Sequence, residues 1–269
     1  TLLASSAASD VYKRQIVNTT PCGMYPNVGQ CMLAPTAFPE LEAVLDVVYN
    51  PFRTELLLRA AERGIKTAGG FEMLVAQAVY AAQYFTGRFY AVDSVIPTAS
   101  RRLTHQLANL SLIGMPGCGK STIGAALAKQ LGKTFVDLDE EIERRTGNNI
   151  PDIFAHEGED AFRRYEADIL ADIAKGTNQV IACGGGIVKT PANVHALRQN
   201  GWVLWVQRPL GKLATGGRPL SQGGAALKQL HAERTPLYRD ASDGVLDNST
   251  TLDRVVQEAA RTFAAYELL

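Results

Sequence analysis

The sequence predicts an α/β protein: a three-layer arrangement of a parallel sheet with helices on both faces from about residue 108 onward, preceded by a smaller α/β segment. Three observations carry this prediction. From Asn109 on, short apolar runs alternate with helical patterns: LSLIG, STIGAALAKQL and TFVDLD, then QVIAC (179–183) and WVLWV (202–206). That alternation is the pattern of strands joined by helical crossovers. A glycine-rich stretch lies between the first of these strands and its helix. The chain has 269 residues, 46% hydrophobic and 20% charged, enough for two ordinary domains with their own cores.

Taken in order, residues 1–15 (TLLASSAASDVYKRQ) begin with Thr1 and lack the charged and apolar regions of a secretory signal, so they are expected to be a foreign or disordered leader. Residues 16–87 read as a strand at Ile16 and Val17, a Pro- and Gly-rich loop, a strand from Val44 to Tyr49, a helix from Thr54 to Arg63, and a second helix from Met73 to Phe85 that Gly87 stops. Residues 88–107, with Pro97, Ser100 and the Arg101-Arg102 pair and no sustained period, suit a linker, and the domain boundary is expected near residue 105. Residues 108–269 form the second domain. In it Ile123, Leu127 and Leu131 mark a core-facing helix, and Phe162, Glu166, Ile169, Leu170 and Ile173 an amphipathic one with a charged interruption.

The 27 basic residues balance the 27 acidic ones, so there is no electrostatic footprint for nucleic acid or an anionic membrane. No run approaches the roughly 18 apolar residues of a membrane span. The four cysteines, Cys22, Cys31, Cys118 and Cys183, form no CxxC pair, which suits a reducing, cytoplasmic compartment.

The sharpest local signal is GMPGCGKST, Gly114, Met115, Pro116, Gly117, Cys118, Gly119, Lys120, Ser121 and Thr122, which satisfies GxxxxGK(S/T) between a strand and a helix. Its glycines let successive backbone N–H groups turn toward phosphate, and the helix aims its positive dipole end there. Lys120 can bridge the β- and γ-phosphates of a nucleotide, and Ser121 can hold Mg²⁺. Cys118 lies where a thiol pKa can fall, although it equally suits a small filler. In FVDLDEEIERRTG, Asp137 and Asp139 are expected to end a strand and face the same side, toward the crevice where α/β sheets bind ligands. An Asp helix cap with a solvated neighbour fits the same pair. Arg144, Arg145 and a Gly147 cap suit the end of the following helix.

The motifs DLDEEIE, HEGEDAFRRYE, ACGGGIV, GGRPLS and AERTPLYRD, in this order over residues 110–240, resemble shikimate kinase. The resemblance implies a P-loop kinase fold with a mobile lid, transferring phosphate from ATP to the 3-hydroxyl of shikimate on the route to chorismate. It also implies that Asp137 helps Ser121 hold Mg²⁺, that Asp139 reaches the attacking hydroxyl, and that Arg163 and Arg234 bind the substrate carboxylate. Gly184, Gly185 and Gly186 would bring backbone N–H groups against the substrate. Arg218, in the lid GGRPLSQGG (216–224), would meet the phosphoryl groups, making Asp139, Lys120 and Arg218 the catalytic set. Glu166, one turn beyond Arg163, can orient it. Many relatives carry an arginine shortly before the lid, where this chain reads KLATGG with Lys212. The small-molecule substrate is the expected partner, and the kinase domain is expected to be monomeric.

The segment 16–87 resembles the carboxy-terminal part of shikimate dehydrogenase through IVNTTPCGMYPN, DVVYNPFRTELL and GGFEMLVAQA. That resemblance implies a truncated Rossmann-like fragment in which Gln77 meets the substrate and Met73 lies beside the nicotinamide. The family's catalytic Lys and Asp and its dinucleotide loop would lie upstream, so the segment is expected to be catalytically silent, the remnant of a fusion whose start is missing. The rival readings are a kinase for another small polyol or acid, such as gluconate, dehydrogenase activity in a full-length fusion, or a nucleotide-binding scaffold.

Overall fold

The computed structural model describes residues 14–213 and 224–266, which divide into two compact units at Gln106 and Leu107.

The front unit is built on a three-stranded parallel sheet, β1 (Gln15–Asn18), β2 (Ala43–Asp46) and β3 (Lys66–Ala68), in that spatial order. Helix α1 (Glu55–Ala61) closes a core of Ile16, Leu41, Val44, Leu56, Leu57 and Ala60 against one sheet face. On the other face Val17 and Leu45, paired in register, are 58% and 43% exposed. The second strand is shorter than expected because Asp46, fully buried, turns the chain. Its carboxylate accepts the Val48 N–H and the Asn18 side-chain amide at 3.0 Å and the Thr54 hydroxyl at 2.6 Å. Thr54 in turn caps α1 through the Leu57 N–H. Helix α2 (Phe71–Thr86) follows and ends at Gly87 in the left-handed conformation, as its sequence predicts.

Two expectations need correction here. Gln15, assigned to the leader, opens β1 and pairs with Ala43, and Arg14 just before it meets Glu42 at 2.8 Å. The segment expected to be a linker contains helix α3 (Val92–Leu107) with Pro97 inside it. Its apolar positions Val92, Val95, Ile96, Leu103 and Leu107 do fall on a helical period, but a proline that removes an interior N–H masks the pattern. Residues 1–13 lie outside the described residues.

The second unit carries a five-stranded parallel sheet in the order β5-β6-β4-β7-β8, with helices on both faces. Its elements are β4 (Asn109–Ile113), α4 (Lys120–Leu131), β5 (Thr134–Asp137), α5 (Leu138–Thr146), α6 (Ile150–His156), α7 (Gly158–Ile173), β6 (Gln179–Ala182), α8 (Pro191–Gln199), β7 (Gly201–Gln207), α9 (Gly224–Ala241), β8 (Gly244–Asp247) and α10 (Leu252–Ala265). Every residue of β4 is buried, as a central parallel strand covered on both faces requires. Ile123 and Leu127 of α4 are at most 1% exposed, and α7 buries Phe162, Ile169, Leu170 and Ile173. The register sets the site: Leu112 lies opposite both Ala182 and Leu204, and Asp137 opposite Ala182. The ends of β4, β5 and β6 therefore release the glycine-rich loop, the aspartates and the Gly184–Gly186 run at one edge of the sheet.

Candidate active site

At that edge lies a cavity of about 400 Å³ lined by Pro116, Gly117, Gly119, Lys120, Ser121, Thr122, Asp137, Asp139, Arg163, Gly184, Gly185, Gly186 and Arg234. Of the residues expected in the phosphate loop, Gly114, Met115 and Cys118 do not line it. Met115 and Cys118 are buried behind the loop, and Gly114 packs so tightly that a Cβ there would meet the Val206 carbonyl. The backbone of two of them has a role all the same. Lys120 Nζ donates to the carbonyls of Gly114 at 3.0 Å and Met115 at 3.1 Å, so the lysine rests on the loop that it serves.

The aspartate pair differs from the expected strand arrangement. Asp137 ends β5 and caps α5, its Oδ1 accepting the Asp139 N–H at 3.1 Å, while Asp139 lies in the first turn of α5. The alternation of strand side chains therefore does not govern the pair. Both still face the cavity, because the strand stops where its end meets the crevice and the helix starts there. The capping reading and the binding reading hold together in one residue. The other Asp137 oxygen accepts the Ser121 hydroxyl at 2.5 Å. Gly147 caps the far end of α5 with φ +73°, and Arg144 and Arg145 bond Glu141, holding its carboxyl at about 2.

Across the cavity, α7 presents Arg163, held from two sides. Its Nη1 donates to Glu166 at 2.7 Å, and its Nε and Nη2 donate to Glu159 at 3.3 and 3.1 Å. A guanidinium has more N–H donors than these carboxylates use, so the fork is oriented and can still meet a ligand. Glu166 is fully buried. Burial pushes its carboxyl above the ordinary range, against the opposing pull of Arg163, and its Oε1 has no protein partner. Glu159 is shared with Lys189 at 3.0 Å, and that bond, then Arg163, holds its carboxyl low against partial burial.

The Gly184–Gly186 run passes under these groups at distances only glycine allows. A Cβ on Gly186 would sit 2.3 Å from the Arg163 guanidinium, and one on Gly184 would sit 2.9 Å from oxygens of both Asp139 and Glu166. The Gly185 carbonyl is held by α9. It accepts Arg234 Nη1 at 2.9 Å and the Tyr238 hydroxyl, both from α9. Tyr238 is fully buried and stacked on Trp205, and burial drives its hydroxyl pKa far up, so it stays a donor. Arg218 and the lid up to residue 223 lie outside the described residues. Lys212 is exposed in a 3₁₀ turn and does not line the cavity. Sequence reasoning did not single out Arg208, which follows β7 and lines the cavity with a buried Nε lacking a partner, nor Phe154 of α6 on the opposite wall. Tyr238 was inside a quoted motif, but its role needs the fold, since its partner is 53 residues away.

A phosphate-cradling loop after the central strand of a parallel sheet, a serine–aspartate pair beside it, and two arginines across a shared cavity define the class of P-loop kinases that act on small anionic acceptors. The model of one family in that class, described as shikimate kinase, matches residues 116–264. The shikimate kinase of Nitrosomonas europaea is 42% identical over 163 residues, covering 58% of this chain and 74% of its own. That of Clostridium botulinum strain Eklund 17B is 42% identical over 152 residues, covering 55% of this chain and 92% of its own. The structure of shikimate kinase from Acinetobacter baumannii in complex with shikimate is 32% identical with a TM-score of 0.58, covering 63% of this chain and 99% of that one. The chain belongs to the shikimate kinase family, and it is accordingly a phosphotransferase with ATP as its phosphoryl donor.

Proposed function

We propose that the cavity transfers the γ-phosphoryl group of ATP to the 3-hydroxyl of shikimate through the following division of labour. Backbone N–H groups of the loop from Gly114 to Thr122 receive the phosphates, and Lys120 leaves the loop carbonyls to bridge the β- and γ-phosphates. Asp139 accepts the proton of the attacking hydroxyl and orients that oxygen. Arg163, held by Glu166 and Glu159, and Arg234 take the substrate carboxylate, and Gly184, Gly185 and Gly186 form a floor of N–H donors beneath the ring. Arg218 of the lid stabilises the charge on the transferring group. The Ser121 hydroxyl and the Asp137 carboxylate, 2.5 Å apart, form the small oxygen donor set that suits Mg²⁺ shared with nucleotide phosphates. When bound, Mg²⁺ neutralises charge on the β- and γ-phosphate oxygens.

One observation carries the assignment: the phosphate loop and the Arg163–Glu166 pair face each other across one cavity. A coupled assay of ADP release from Mg-ATP, with and without shikimate, tests it. Shikimate-dependent release is expected. ADP release that ignores shikimate would give the cavity to another acceptor. A single symmetric peak at the monomer mass in size-exclusion chromatography is expected, and the chain is assigned to the cytoplasm.

The front unit, read as a carboxy-terminal piece of shikimate dehydrogenase fused to the kinase, is proposed to be silent in hydride transfer. The reading is supported by its three sequence motifs and by its three-stranded parallel sheet. Shikimate with NADP⁺ should give no NADPH absorbance, and measurable reduction would overturn the reading.

A further inference from the structure

The loop that follows β8 reaches back across 130 residues to the phosphate-binding loop. There Asn248 Nδ2 donates to the carbonyl oxygen of Cys118 at 2.7 Å. Asn248 is rooted in the sheet, its own N–H bonding the Gln207 carbonyl at 2.8 Å just beyond the β7–β8 register pair Gln207 and Asp247. A trans peptide points its C=O and the following N–H in opposite directions. A donor that holds the Cys118 carbonyl outward therefore holds the Gly119 N–H facing the other way. Gly119 lines the cavity, stands at φ +98°, and packs so close beneath Asn248 that a Cβ would sit 2.7 Å from Nδ2. Glycine tolerates either orientation of such a peptide, and only one presents its N–H to an anion.

We propose that Asn248 is a positioning residue for nucleotide binding, which holds the Cys118–Gly119 peptide in the orientation that presents the Gly119 N–H to the phosphates of ATP. The inference rests on the reading of this loop as the nucleotide cradle. Without the amide, the peptide must be ordered when nucleotide arrives, and affinity falls by the cost of that ordering. Asn248 makes no contact with the Arg163 side of the cavity, so the shikimate site should be unaffected.

Two variants test this, Asn248→Leu, which keeps the approximate shape without a donor, and Asn248→Asp, which places a carboxylate oxygen against the Cys118 carbonyl. Calorimetric titration with Mg-ADP should show Kd raised roughly fivefold in Asn248→Leu, the worth of one hydrogen bond, and more in Asn248→Asp. The KM for ATP should follow, while the KM for shikimate stays at the wild-type value, a split that a merely structural role would not produce. Wild-type affinity for Mg-ADP in both variants would overturn the proposal, as would equal increases in the two KM values. A wild-type protein that does not bind Mg-ADP would overturn the cradle reading, and this inference with it.

Discussion

The roles proposed for Lys120, Asp139 and Glu166 differ, and substitution should separate them. Asp139→Asn keeps the shape and loses the proton acceptor, so kcat should fall by about 100-fold or more with the Kd for ADP nearly unchanged. Lys120→Ala removes the cation from the cradle and should raise the Kd for ADP itself. Equal, small effects from the two in titration and turnover would contradict the assigned roles. Glu166 has a consequence in pH. Burial raises its carboxyl pKa, so on acidification it takes up its proton before an ordinary glutamate would, and Arg163 then loses one of its two charged partners. The KM for shikimate should therefore climb as pH falls through a point above the ordinary glutamate range. Glu166→Gln should remove that inflection; a profile identical to wild type would show that Glu166 does not govern the site.

At the scale of elements, α9 braces the Gly184–Gly186 run. Through Arg234 and Tyr238 it donates two hydrogen bonds to one carbonyl, that of Gly185. Tyr238→Phe removes one donor without altering packing on Trp205, and should raise the KM for shikimate severalfold, about the worth of one hydrogen bond, with the ATP KM unmoved. A rise in the ATP KM alone would place α9's influence elsewhere. Helix α4 and strand β5 meet at Gly124, where a Cβ would sit 2.6 Å from the Phe135 ring. Gly124→Ala gains helix propensity but forces that ring aside, and the steric term is expected to win by about 1–3 kcal/mol of destabilisation in urea unfolding. The segment from β4 to β5 was largely legible because glycines, apolar period and caps agreed locally. Helix α3 was not, since Pro97 argued against the helix that the rest of its residues form.

At the scale of the whole molecule, the two units have separate cores: Ile16, Val44 and Leu57 in one, and Leu110, Leu112, Ile123 and Val203 in the other. Separate cores predict two thermal transitions, and Mg-ADP with shikimate should raise only one of them. At a ligand concentration 100 times Kd the gain is about 2.7 kcal/mol, easily seen by calorimetry. A single transition that shifts as one would show the units to be coupled. Lys133 adds a pH signature to the second unit. Its ammonium is partly buried, donating to the Ala108 carbonyl at 2.8 Å, and burial lowers its pKa to about 8 from 10.5. A lysine with a depressed folded pKa destabilises the fold fully below about 8, and the penalty disappears as pH rises toward the unfolded value. Stability should accordingly rise between those two pH values, and Lys133→Met should flatten that slope.

The sequence by itself determined the chemistry of this protein. The phosphate loop is contiguous, so backbone geometry and glycine placement can be read from nine adjacent residues. The order of DLDEEIE, AFRRYE, ACGGGIV and AERTPLY carried the family resemblance, and with it the side chains proposed to meet a small anionic acceptor. Tertiary structure alone decided how those groups are held. Asp137 serves as a helix cap and a Ser121 partner at once, because β5 ends at the crevice where α5 begins. Gly185 is turned by Tyr238, and the Cys118 carbonyl by Asn248, through bonds spanning 53 and 130 residues. The physical reason is range. Dihedral preferences, caps and periodicity act between neighbours along the chain, whereas a hydrogen bond that orients one peptide plane depends on which strands lie side by side, and that is settled only when the sheet is assembled.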